Sequence, residues 1–173
     1  MRNYAVSAKK TAIIAVFVSL LIAIQYALSF VPGVELVTVT FTAFCCVFGT
    51  KRGMIAATCF ALLRQLVFGF FPIILALYLI YFNLLAVVFG GLGKRAGGDP
   101  KLITVITLSV IGTLCFTLLD NVLTPLWHGY SEKAFLLYFK ASVPFALIQA
   151  LCSGISALVL FKPLTKAIGR FAN

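Results

Sequence analysis

Hydrophobic positions along this chain fall into six long blocks, at about 11–30, 36–49, 53–69, 72–90, 102–122 and 143–162. A helix needs about 20 apolar residues to cross the ~30 Å hydrocarbon layer of a bilayer. The blocks therefore predict an all-α, polytopic membrane protein, a six-transmembrane-helix bundle forming one integral domain over residues 1–173. The block at 36–49 is short, so it tilts little or extends through its flanks. Gly49 and Gly53, and Gly69 with Pro72, mark turns, and GGLGKRAGGDPK at 90–101 is the clearest polar loop. The first block follows Lys9 and Lys10 but exceeds a signal-peptide core of about 7–15 residues, and no small-x-small site follows it. It is expected to be a retained helix.

Composition supports this pattern. Hydrophobic residues make up 62% and charged residues 10%, against the roughly 25% charge of a soluble domain. Disorder requires low hydrophobicity, and 173 residues cannot hide this much apolar surface in a soluble core. The net charge of +10 would suggest nucleic acid in a soluble protein. Here the basic residues cluster between apolar blocks, so no nucleic-acid partner is expected. Arg2, Lys9, Lys10, Lys51, Arg52, Lys94, Arg95, Lys101, Lys162, Lys166 and Arg170 fall on one side of six alternating helices, and Lys133 and Lys140 on the other. The positive-inside rule then puts both termini in the cytoplasm.

Arg64 belongs to neither side. It sits in ALLRQLVFGFFP, residues 61–72. At 1.5 Å per helical residue it lies about 18 Å from Arg52; Gln25 lies about 22 Å from Lys10, and Gln149 about 20 Å from Lys162. Three helices thus place large polar side chains in one slab of the outer half. Asp120 and Asn121 reach about 28 Å, Glu35 lies in the first outer loop, and Asn83 is near the midplane. A charge at bilayer depth costs about 3 kcal/mol or more, so Arg64 is expected to face the bundle interior, with Asp120 as its first-choice partner. A binding cavity open to the outside accounts for this coincidence; helix-tying hydrogen bonds account for it as well.

Aromatic residues surround the same level. Tyr78 and Tyr81 share a helix face, and Trp127 and Tyr130 fit either an interfacial belt or a stacking surface for a flat ligand. His128 reads as a solvated loop residue. The five cysteines, Cys45, Cys46, Cys59, Cys115 and Cys152, lie in apolar blocks without a CxxC pair and read as small core residues. No metal site and no cofactor are expected. In the first block Ala8 and Ala12, then Ala15, Ser19 and Ala23, form small-residue rows that let another helix approach closely. The sequence has no P-loop, HExxH or GxSxG motif, so the chain is not expected to be an enzyme, and an outer cavity without an engine suggests a borrowed one.

The chain resembles the substrate-binding (S) components of energy-coupling factor transporters. The likeness rests on the small row at Ala8-x-x-x-Ala12, on VPGVEL (31–36) with VFGTKRG (47–53), and on KASVPFALIQAL (140–151) leading into LFKPLTKAI (160–168). The resemblance implies a prokaryotic plasma membrane and a vitamin or related micronutrient bound from outside by helices four to six and by loops near 31–36, 69–72 and 123–142. It implies that the first helix docks on a transmembrane coupling subunit carrying two ATPase subunits, and that the S component topples to release its load. An autonomous small-solute transporter and a structural membrane scaffold stay open as alternatives.

Overall fold

A computed structural model describes residues 2–31 and 34–171. Pro32 and Gly33 of VPGVEL lie outside the described residues, as do the side chains of Arg2 and Lys10. The described residues form helices and connections only: α1 (Arg2–Leu28), α2 (Val37–Phe68), α3 (Pro72–Arg95), α4 (Leu102–Trp127) and α5 (Glu132–Gly169). All five are long and apolar enough to cross a membrane, and the protein is a multi-pass membrane protein.

Two expected spans, 36–49 and 53–69, are joined into α2, which is broken at Gly49, where φ 80° and ψ 174° leave the helical region. Glycine accepts that φ without a Cβ clash. The arm before the break is buried at every residue from Val37 to Cys46. Wrapped by its neighbours, it does not need the length of a lipid-facing span. α2 packs against each of the other four helices, whereas the backbone of α1 approaches α2 alone. The stacked rings of Phe17 and Phe44, 3.9 Å apart, fix that contact. Phe82 holds the centre edge-on to Phe41 and Phe60, at 5.1 and 5.0 Å.

α3 meets the break of α2 through Gly90 and Gly93. A Cβ at either would fall within 3.0 Å of the backbone of Thr50 or Cys46, so only glycine permits this approach. At the other end of α3, Gln65 is buried and its Oε1 accepts the Phe71 N–H at 3.0 Å, closing the 69–71 turn. Pro72 begins α3 where its missing N–H is no loss.

The outer loop expected over 123–142 is a correction. α4 runs to Trp127 and α5 begins at Glu132, with the Ser131 side chain accepting from the Ala134 N–H. The segment 132–142 is polar enough to end an apolar block yet turns its aromatic residues inward. Phe135, Tyr138 and Phe139 are half-buried while Lys133, Leu136, Leu137 and Lys140 are exposed. Outward-facing positions elsewhere are large and apolar, Leu66 being 80% exposed, as a lipid-facing surface requires.

Candidate functional site

A cavity of about 320 Å³ opens at the end of the bundle away from the Gly49 break. Ligand pockets span roughly 300–1,000 Å³. Gln25 comes from the last turns of α1, Glu35 from the connection to α2, and Arg64 from the end of α2. Tyr78 and Tyr81 come from α3, Thr113 and Phe116 from α4, and Gln149 from α5. The three polar residues that depth alone placed in one slab therefore line one void, with Glu35, Tyr78 and Tyr81 beside them.

Arg64 lies over the Tyr78 ring at 4.3 Å and the Phe68 ring at 5.1 Å. Each such contact is worth about 0.5–2 kcal/mol, more when desolvated. Its Nε and Nη1 are buried and have no hydrogen-bond partner among the described residues. The Gln25 amide donates to the Tyr78 hydroxyl at 2.8 Å, and Gln25 Oε1 and the Tyr81 hydroxyl are buried without partners among the described residues. Gln149 Oε1 accepts from the Thr117 hydroxyl at 3.0 Å, and one turn further in the Thr113 hydroxyl donates to Ser153 at 2.9 Å. Glu35 Oε1 accepts the Thr38 N–H at 2.7 Å, at the start of α2, where a carboxylate suits the helix dipole. Burial raises the Glu35 carboxyl above its ordinary value, against the opposing pull of these hydrogen bonds.

Comparison with family models, curated proteins and solved structures finds no match to this chain.

Four of the expected site residues lie elsewhere. Asp120 does not meet Arg64; its Oδ1 accepts from the Thr124 hydroxyl at 2.7 Å, one turn along α4. Only Lys162 and Asp99 form an ion pair among the described residues, so the expected Arg64–Asp120 pair is a correction. A helical residue satisfied by its own next turn has no need of a distant partner. Asn121 is buried beside Asp120 but outside the cavity lining, and Asn83 donates to the Leu79 carbonyl at 2.8 Å. Trp127 is 60% exposed. The cavity also uses Thr38, Phe82, Thr113 and Phe116, which sequence reasoning passed over. The one available signal was Ser109, Thr113 and Thr117 recurring at intervals of four along α4.

On α1, Ala8, Ala12, Ala15, Ser19 and Ala23 are all exposed. The Ser19 hydroxyl donates to the Ala15 carbonyl at 2.9 Å, so it presents no free donor. Ala12 borders an apolar groove of about 340 Å³ between α1, Phe44 and Phe48 of α2, and the end of α5. At the far end of the bundle from the first cavity, Lys51, Arg52 and Lys94 line a second void of about 700 Å³ around the Gly49 break.

Proposed function

We propose that this chain is the membrane-embedded substrate-binding subunit of an importer of the energy-coupling factor type. It captures a vitamin-like micronutrient from outside a prokaryotic cell and releases it inward when docked on an ATP-driven coupling module. In this reading the two arms of α2 cross the membrane separately, giving six crossings with both termini in the cytoplasm. The observation that supports it most is the convergence of Gln25, Arg64 and Gln149, from three helices, on one void with unpartnered polar atoms. Gln25 and Gln149 each spend one group on a neighbouring helix, through the Tyr78 and Thr117 hydroxyls, yet Gln25 Oε1 and two guanidinium nitrogens of Arg64 stay buried without partners among the described residues.

Orientation follows from charge. Lys51, Arg52 and Lys94 gather at the opposite end from the cavity, and basic clusters stay in the cytoplasm, so the cavity opens outward. The exposed small-residue face of α1, a helix whose backbone approaches α2 alone, is the surface for the coupling subunit. Binding and reorientation are this chain's part, and ATP hydrolysis belongs to the partners.

The test is uptake in liposomes of the small molecule released from the purified chain. ATP-dependent uptake only in the presence of the coupling module is expected. Uptake by the chain alone would contradict the proposal and favour an autonomous transporter.

A further inference from the structure

The unused hydrogen-bonding groups of the cavity have a polarity. Of the four fully buried cavity atoms without partners among the described residues, Arg64 Nε, Arg64 Nη1 and the Tyr81 hydroxyl can donate, and Gln25 Oε1 can only accept. Arginine brings a cationic guanidinium, and the two rings flanking that of Arg64 belong to Phe68 and Tyr78. Among the described residues Glu35 is the one carboxylate lining the cavity. It is engaged with the Thr38 N–H and forms no ion pair with Arg64 among the described residues. The buried unpartnered groups are thus mostly donors, and no carboxylate among the described residues is ion-paired with Arg64.

A bound group that only accepts hydrogen bonds answers all three donors at once. A carboxylate offers about four lone-pair sites, whereas a primary amide offers two and turns its own N–H groups toward the guanidinium. The remaining wall is aromatic, with Tyr81 and Phe116 centred 4.6 Å apart and Phe82 behind them.

Resting on the capture reading above, we infer that the cavity is built for a small planar anion, an aromatic carboxylate by chemical class. Its negative group meets Arg64 and the Tyr81 hydroxyl, and its ring lies against Phe116. A ring N–H or O–H beside the carboxylate meets Gln25 Oε1.

The probes are benzoate and its neutral isostere benzamide, titrated at pH 7 and constant ionic strength against thermal unfolding of the purified full-length chain in detergent. Charge-assisted hydrogen bonds are about twice as strong as neutral ones, so benzoate is expected to stabilise at about tenfold lower concentration than benzamide. Arg64→Gln is expected to erase that preference, and Arg64→Lys to keep it at weaker affinity. Equal responses, a preference for benzamide, or no response to benzoate overturns the inference, and the wild-type titrations decide this even if Arg64→Gln fails to fold. A benzoate response unchanged in a folded Arg64→Gln chain overturns it too. A neutral or cationic molecule released from the purified chain would overturn the anion inference while leaving the capture reading standing.

Discussion

Adjacent polar residues in ALLRQLVFGFFP divide two tasks. Arg64 faces the cavity, and Gln65, one helical step away, closes the turn into α3 through the Phe71 N–H. Gln65→Leu removes that acceptor from a partly buried N–H and is expected to cost about 1–3 kcal/mol, read as a lower unfolding midpoint, while ligand affinity changes little. Glu35 gives the molecule a pH dependence. Burial raises its carboxyl above 4.5, so the folded state holds a proton to higher pH than the unfolded chain. The stability this contributes is fully present below 4.5 and is lost as pH rises through the raised folded value. Unfolding followed across this window should show the decline, and Glu35→Gln should flatten it; a stability rising with pH in the wild type, with no change in the variant, would contradict the assignment.

Helices were legible where apolar length decided them and misread where local geometry did. The blocks at 11–30, 72–90 and 102–122 correspond to α1, α3 and α4, because hydrocarbon thickness sets their length. Gly49 reads as a turn, and α2 leaves the helical region there, at φ 80° and ψ 174°. The sequence places the start of the last helix at 143 because Ser131–Ser142 is mixed in polarity, yet its aromatic residues Phe135, Tyr138 and Phe139 fall on the half-buried side of α5. Close approach at Gly93 was equally invisible. Gly93→Ala forces α3 away from Cys46 and is expected to lower stability by about 1–3 kcal/mol, measured by chemical or thermal unfolding in detergent. On α1 the exposed small face predicts a separation of functions. Ala12→Leu and Ser19→Leu are expected to leave ligand affinity intact and abolish coupled uptake by blocking close helix approach. Unchanged uptake in both would remove the docking surface from this face.

The cavity was legible in outline because polar groups in hydrocarbon are costly wherever they occur. That cost singles out Arg64, Gln25 and Gln149 from sequence alone, but it reports depth and not direction. Asp120, nearer the outer rim, turns toward Thr124 instead. Thr113 and Phe116 went unnoticed because threonine and phenylalanine are ordinary in membrane helices, and only packing shows which of them face a void. Sidedness has its own check: a cysteine replacing His128, in the α4–α5 connection, should react with an impermeant maleimide on intact cells, and one replacing Lys94 only after permeabilisation. The reverse pattern would place the cavity inside. The most direct measurement of the whole account is native mass spectrometry of the full-length chain purified from rich medium, beside Arg64→Ala. A single small-molecule adduct on the wild type, at one per chain and at least about tenfold depleted in the variant, is the predicted result. A wild type carrying only detergent and lipid, or an adduct retained equally by a folded Arg64→Ala chain, would contradict it.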